Sequence, residues 1–194
     1  MKSSQRLVLA SASPRRLDLL RQIGLTPDST VAAELDETPH PKETPRLLAL
    51  RLAQAKAARV AELEPGAFVL GADTVVAVGR RVLPKVETEV EGRACLALLS
   101  GRAHRVLTGV AVVAPDGRTA ARLVESKLHF KRLTDIEIEG YLRSGEGIGK
   151  AGGYAIQGLA GAFVTALQGS YSGVVGLPLY EALSLLTGLG YRRP

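Results

Sequence analysis

The strongest predicted strand in this sequence is Phe68-Val69-Leu70-Gly71-Ala72-Asp73-Thr74-Val75-Val76, an apolar run that contains one acidic residue. Burying a carboxylate without a partner costs free energy. In a central strand, Asp73 is therefore expected to hold a metal ion, a cation or a reacting water. The structural alternative is that the strand ends early and that Asp73 lies in a turn. The pattern favours the functional interpretation.

Strands and helices alternate on the N-terminal side of this stretch. Arg6–Ala10 predicts a short buried strand, and Ser13-Pro14 predicts the N-cap and first residue of a helix that ends at Gly24. A second strand is expected at Ser29–Ala33. Thr44-Pro45 begins another helix, which carries apolar and small residues at helical spacing.

The C-terminal side mixes hairpins with helices. Its predicted elements are a turn at Arg80-Arg81, a capped helix from Thr88 to Leu99, a hairpin of Val106–Ala114 and Ala121–Phe130, a helix that opens at Thr134 and Glu137, a strand at Phe163–Leu167 and a helix from Leu179 to Leu186. This order predicts an α/β fold with a mixed central sheet flanked by helices, and two lobes around a cleft. We expect one domain, residues 1–194.

The composition predicts a folded protein with a polyanionic ligand. The chain has 194 residues, 46% hydrophobic and 23% charged, which excludes a disordered, collagen-like or coiled-coil protein. Its net charge of +6 is compatible with a nucleic-acid surface or with a pocket for a small polyanion such as a nucleotide. Aromatic residues make up 4% and the basic residues are dispersed, so the second interpretation is favoured.

The sequence predicts a cytoplasmic protein. Its single cysteine, Cys95, excludes an internal disulfide and is expected to pack in the core. The apolar stretch Leu7–Ala10 is too short for a signal peptide, and no apolar run approaches the ~20 residues of a membrane helix. His40, His104 and His129 do not follow a metal-ligand spacing.

A candidate anion site follows the first strand, at Ser11-Ala12-Ser13-Pro14-Arg15-Arg16. The first turn of a helix offers free backbone N–H groups and a partial positive charge. The serine hydroxyls add donors, and the arginine guanidinium groups match phosphate oxygens. The alternative is an N-capped helix with two solvated arginines. The motif favours phosphate binding.

Two further segments are less specific. Asp36-Glu37 could hold Mg²⁺ together with substrate phosphates, although the local pattern favours a solvated loop. The segment Gly145–Gly161 contains a G-x-G-x-x-G pattern, but it follows a predicted helix rather than a strand, so the dinucleotide context is missing. The sequence leaves open a flexible loop that brings backbone close to a ligand. Gln157, which is both donor and acceptor, could read the edge of a base.

Taken in order, these segments resemble the Maf-like nucleoside triphosphate pyrophosphatases. The resemblance covers nearly the whole chain. The matching segments are Leu9–Arg16, Asp36-Glu37, Lys56-Ala57, Gly71–Val76, Ser100–Val106 with Thr108, Gly152–Gly158 and Gly169–Leu179. One departure lies shortly after the predicted turn at Arg80-Arg81. The family usually has Lys-Pro there, whereas this chain has Pro84-Lys85.

The resemblance implies a deep nucleotide cleft, a homodimer, and cleavage of a nucleoside triphosphate to the monophosphate and pyrophosphate. It implies a divalent cation, with Mg²⁺, Mn²⁺ and Co²⁺ as candidates. By matching position, Asp73 is the catalytic carboxylate, and Arg15, Thr74 and Gln157 set nucleotide preference. The phosphate- or metal-contacting positions are Ser11, Arg16, Glu37, Lys56 and Lys85, with Glu37 and Asp73 assigned to the metal. The form Ile156-Gln157-Gly158 resembles the dTTP/UTP branch.

The chemistry of the residues agrees with this mechanism. Attack on an α-phosphorus spreads charge over phosphate oxygens, so catalysis is mostly positioning and electrostatics. Asp73 would act on the attacking water as a base or would hold the metal, and the sequence leaves both roles open. The alternative function is a nucleic-acid-binding or division-regulating protein whose basic cleft only binds. Magnesium dependence would separate the two, because turnover needs the metal whereas backbone binding weakens when Mg²⁺ competes.

Overall fold

The computed structural model describes residues 5–192, so the expected domain 1–194 extends beyond the described part at both ends. The strands are β1 (Leu7–Ala10), β2 (Ser29–Thr30), β3 (Phe68–Val78), β4 (Arg81–Leu83), β5 (Ala103–Val113), β6 (Thr119–Phe130) and β7 (Val164–Gln168). The α-helices are α1 (Pro14–Gln22), α2 (Pro45–Leu63), α3 (Glu89–Leu99), α4 (Asp135–Arg143), α5 (Tyr171–Val175) and α6 (Leu179–Gly188), and a 3₁₀ helix spans Leu159–Phe163. Among these residues, no helix combines the length and apolarity that crossing a membrane requires.

Seven strands form one mixed sheet in the order β2-β1-β3-β5-β6-β7, with β4 paired to part of β3. β1 is parallel to β2 and β3, and the remaining pairs are antiparallel. The helices flank this sheet, which confirms the predicted fold class. The capping boxes expected at Thr88 and Thr134 are both present, with Glu91 and Glu137 as their partners.

Helix α2 lies unusually close to the sheet because small residues face each other there. An added Cβ at Gly71 would lie 2.7 Å from the Ala53 carbonyl oxygen, and one at Gly109 would lie 2.2 Å from the Ala49 carbonyl oxygen. Neither approach leaves room for a methyl group. This close packing brings Lys56 of α2 against β3.

Gly109→Ala is expected to destabilise the protein, because the new methyl group meets helix backbone that cannot rotate away. Overpacking of this kind costs about 2 kcal/mol, which corresponds to a melting temperature lower by about 4–8 °C. The matched control is Gly188→Ala, since an added Cβ at Gly188 meets nothing within 4 Å. Thermal unfolding checks both variants, and equal melting temperatures would contradict the packing argument.

The long strands β3 and β5 connect two hydrophobic clusters, which correspond to the two expected lobes. Phe68, Leu70 and Ala72 belong to the cluster around α1 and α6, whereas Val76 belongs to the cluster around α3 and α4. β1 pairs with β3 as far as Gly71, and β4 pairs with it again from Val76 onward. In the described part of the chain, residues 72–75 have no ladder partner on this edge of β3. The cleft opens at this gap.

Four local expectations differ from the structure. The predicted strand Ser29–Ala33 pairs only at Ser29–Thr30, because β1 ends at Ala10 and leaves the following residues along the cleft. Ser13 occupies the N-cap of α1, but its side chain makes no capping bond within residues 5–192. The sequence signals also missed α5 and the 3₁₀ helix, which have five residues each and therefore little periodicity.

Candidate active site

The cleft between the two clusters is a cavity of about 460 Å³. Its walls come from the end of β1, the start of α1, the middle of β3, the segment around Lys85, residues 148–157 and the end of α5. All nine candidate site residues line it: Ser11, Arg15, Arg16, Glu37, Lys56, Asp73, Thr74, Lys85 and Gln157. The fold therefore gathers in one place residues that are far apart in sequence.

A chain of ion pairs crosses the floor of the cleft. The Lys56 ammonium lies 2.6 Å from Asp73 Oδ1 and 2.6 Å from Glu37 Oε1. The Lys85 ammonium lies 2.6 Å from Glu37 Oε2. Asp73 is 4% exposed and stands in the middle of β3, so the turn interpretation is wrong and the expected cation partner is Lys56. The carboxylate is aimed at the cleft from a rigid strand.

Glu37 corrects an expectation drawn from local sequence. The pattern around Asp36-Glu37 favoured a solvated loop, but the Glu37 carboxylate lies in the cleft between two lysines. Burial alone would raise the pKa of Glu37, and the hydrogen bonds from Lys56 and Lys85 outweigh it, so that the pKa is about 2. Asp36 does remain exposed, and its Oδ1 accepts a hydrogen bond from the Thr38 backbone N–H.

Arg16 is held by neutral acceptors rather than solvated. Its Nε donates to the Gly176 carbonyl at 2.8 Å, and its two terminal nitrogens reach Ser11 Oγ at 3.0 Å and Thr74 Oγ1 at 3.4 Å. Burial lowers the pKa of Arg16, and the nearby charge of Asp73 opposes this shift. Arg16 therefore presents a fixed positive charge beside the carboxylate.

The Thr74 hydroxyl is also hydrogen-bonded to Thr108. Thr108 on β5 is fully buried, and its hydroxyl lies 3.2 Å from Thr74 Oγ1 and 2.8 Å from the Gly173 carbonyl. One hydroxyl has one proton, so if Thr108 donates to Gly173, Thr74 donates to Thr108. The Thr74 lone pairs are then directed toward Arg16.

Lys150 also lines the cleft, although the sequence reasoning did not single it out as a site residue. Its ammonium donates to the Glu146 carbonyl. Burial lowers the pKa of Lys150, and the positive charge of Arg15 lowers it further. Burial likewise lowers the pKa of Arg15. The sequence signal for Lys150 is its place inside the G-x-G-x-x-G pattern of the Gly-rich segment.

Backbone hydrogen bonds join the Gly-rich segment to residues 84–86, the Lys85 segment. Val86 N donates to the Lys150 carbonyl, Gly149 N to the Val86 carbonyl at 2.7 Å, and Gly152 N to the Pro84 carbonyl at 2.9 Å. The flexible loop that the sequence leaves open is thus a paired structure. The order Pro84-Lys85, which departs from the family pattern, still lets Lys85 reach Glu37.

The charges of the cleft suit an anion with several negative groups. Five cationic side chains line it, against the two carboxylates of Glu37 and Asp73. Within residues 5–192 no three His, Cys, Asp or Glu residues are grouped as a metal cluster. Two carboxylates that share one ammonium do fit a Mg²⁺ ion that takes its other ligands from water and phosphate. Glu37 and Asp73 are therefore the residues of the cleft that could hold a divalent cation.

The sequence comparisons identify the family of the chain. Residues 6–189 match the sequence model of the family described as Maf-like protein, and the chain belongs to this family. The dTTP/UTP pyrophosphatase of Caulobacter vibrioides is 67% identical over 192 residues, covering 99% of this chain and 100% of that protein. The dTTP/UTP pyrophosphatase of Maricaulis maris is 62% identical, covering 96% of this chain and 89% of that protein.

A solved structure of a nucleoside-triphosphatase described as a dITP/XTP pyrophosphatase, from Mycobacterium abscessus, is 18% identical to this chain. The matched region covers 66% of this chain and 74% of the Mycobacterium abscessus chain, with a TM-score of 0.42. The assignment of the fold therefore rests on the sheet topology described above and on the family match.

Proposed function

We propose that this protein hydrolyses dTTP and UTP to the nucleoside monophosphate and pyrophosphate. The observation that carries the proposal is a buried carboxylate, Asp73, aimed into a cleft whose other charged side chains are mostly cationic. The names of the relatives from Caulobacter vibrioides and Maricaulis maris support dTTP and UTP as the substrates. The form Ile156-Gln157-Gly158 supports the same branch.

The reaction assigns roles to Asp73 and to three of the cationic side chains of the cleft. Water attacks the α-phosphorus, a new P–O bond forms, and the bond to the oxygen that bridges to the β-phosphorus breaks, so pyrophosphate leaves. Asp73 accepts the proton of the water or holds the cation that orients it. Arg16, Lys56 and Lys85 contact the phosphate oxygens and stabilise the charge that develops on them.

Three cleft residues would set nucleotide preference: Arg15, Thr74 and Gln157. The Gln157 side chain is exposed in the cleft and has both a donor and an acceptor. Uracil and thymine present an N3–H donor beside the O4 acceptor, and one amide matches both. Ser11 adds a hydroxyl at the end of β1, where it accepts from Ser13 N and Arg16.

A divalent cation would be bound by Glu37 and Asp73 together with the phosphates. Bound there, Mg²⁺, Mn²⁺ or Co²⁺ supplies charge neutralisation of the triphosphate and a fixed geometry for its oxygens. Lys56 already holds these two carboxylates together, so they need little rearrangement to share a second cation.

The proposal extends to the assembly and setting of the protein. It takes residues 1–194 as one functional unit, a homodimer that works in the cytoplasm without a membrane or stable nucleic-acid partner. Support for the dimer is the family resemblance, and support for a reducing compartment is the single cysteine. Light scattering of the purified chain measures the oligomeric state. A nucleic-acid-binding or division-regulating role is less favoured, because Asp73 would repel a phosphate backbone unless a metal ion intervened.

The test is pyrophosphate release from a panel of nucleotides with and without Mg²⁺. We expect turnover of dTTP and UTP that stops when the metal is chelated. The panel also contains 5-methyl-UTP, CTP, GTP, 7-methyl-GTP, ATP and ITP. Turnover confined to purines would keep the chemistry and contradict the pyrimidine preference. No turnover of any nucleotide would contradict the proposed function, and titration of nucleic acid against salt would then test the binding alternative.

A further inference from the structure

The turn that carries Gln157 is held on both sides by residues from the end of α4 and the loop after it. The Ala155 backbone N–H donates to the Tyr141 hydroxyl at 3.0 Å. The Leu159 backbone N–H donates to Glu146 Oε2 at 2.9 Å. Both bonded amides lie two residues from Gln157, one before it and one after it. These two contacts hold the backbone of Gln157 together with the hydrogen bond inside the turn, from Gly158 N to the Ala155 carbonyl at 3.1 Å.

The Glu146 carboxylate is packed directly on the backbone next to Gln157. An added Cβ at Gly158 would lie 2.2 Å from Glu146 Oε2. The backbone of Gly158 has a φ of −111° and a ψ of −149°, so it lies outside the left-handed region that favours glycine. The close approach of the carboxylate leaves no space for a larger side chain at this position unless the carboxylate moves.

We propose that Glu146 is a positioning residue for nucleobase selection, acting through the backbone turn that carries Gln157. This inference rests on the proposed function. Cytosine exchanges the donor and acceptor that uracil and thymine present at N3 and position 4, so an amide discriminates them only when it is held in place. A site built to pair a substrate's polar groups loses that discrimination when the pairing group moves.

A side-chain substitution at Glu146 should disturb the turn that carries Gln157 without breaking the contacts of the cleft lysines. The Glu146 carbonyl accepts the hydrogen bond of Lys150, and a side-chain substitution leaves this carbonyl in place. The ion pairs of Lys56 and Lys85 do not involve Glu146. Loss of the Glu146 carboxylate should therefore weaken contacts to the base and leave the phosphate contacts intact.

The experiment compares Glu146→Ala with Glu146→Gln, and uses Glu139→Ala as the matched control. Glu139 lies in α4 and pairs with Arg93 on the surface. For Glu146→Ala we expect kcat/KM for UTP to fall about tenfold through KM, with a reduced preference for UTP over CTP. Glu146→Gln keeps an acceptor oxygen and should retain most of the preference. Inhibition by pyrophosphate, which reports on the phosphate contacts, should change by less than about twofold in every variant.

A double-mutant cycle with Gly158→Ala makes the test specific to this contact. In the wild-type background the new methyl group displaces the carboxylate from Leu159 N and should reproduce the effect of Glu146→Ala. In the Glu146→Ala background the methyl group finds space and should add nothing. An unchanged preference for UTP in Glu146→Ala would overturn the inference. It would also be overturned if Glu146→Ala weakened inhibition by pyrophosphate as much as it raised the KM for UTP, or if the effects of the two substitutions were additive. Absence of UTP turnover by the wild type would instead refute the proposed function.

Discussion

Asp73→Asn is expected to lower the turnover of dTTP and UTP by about 10³-fold or more while the fold remains intact. The substitution removes the charge that we propose either accepts the proton of the attacking water or holds the cation, and such groups contribute about 10²–10⁴-fold. The fold survives because the asparagine oxygen still accepts from Lys56, whose ammonium also keeps its contact with Glu37. Pyrophosphate release and thermal unfolding measure the two effects.

The matched control for this substitution is Asp116→Asn. Asp116 also pairs with a cation, Arg118, but lies in an exposed turn outside the cleft. Its variant should retain full activity. Raising the Mg²⁺ concentration separates the two roles of Asp73, because partial recovery of the variant indicates a metal ligand and no recovery indicates a base. Near-normal turnover by Asp73→Asn would refute both roles.

Lys56→Met is expected to lower both stability and activity. Removing the ammonium leaves the buried carboxylate of Asp73 without its cation, whereas Glu37 keeps Lys85. Breaking a buried pair from one side costs about 3 kcal/mol or more, which corresponds to a melting temperature lower by about 6–12 °C. Turnover should fall as well, because a cation that we propose contacts the phosphates is lost. Thermal unfolding and pyrophosphate release measure these losses.

Two comparisons identify the cause of the instability. The double variant Lys56→Met with Asp73→Asn removes the unpaired charge and should regain part of the lost melting temperature. Lys131→Met is the matched control, because Lys131 pairs with Glu137 at the surface, where solvent screens the interaction. If the double variant melts lower than Lys56→Met alone, the unpaired carboxylate is not what destabilises the single variant.

Much of the fold was predictable because its signals are local. The strand β3 is an apolar run that contains a single carboxylate, and the two capping boxes need only residues three positions apart. Asp73 could be singled out for the same reason, since one carboxylate in such a strand requires a partner. The identity of that partner, Lys56, depends on α2 lying against the glycines of β3 and β5.

The less predictable parts depend on contacts between distant segments. Glu37 lies in irregular chain, and its place in the cleft follows from Lys56 and Lys85 on two other segments. Lys150 reaches the cleft because its neighbours pair with the Lys85 segment, which no local pattern encodes. The structure brings the nine candidate residues together, and their catalytic and specificity roles stay predictions.

The backbone pairing between the Gly-rich segment and the Lys85 segment has a consequence for the entropy of binding. Three hydrogen bonds within the chain join these segments, through the amides of Val86, Gly149 and Gly152. The loss of chain freedom that a mobile loop would suffer on closing has thus already occurred during folding. A nucleotide then meets preorganised walls, and its binding free energy is not reduced by the ordering of this segment.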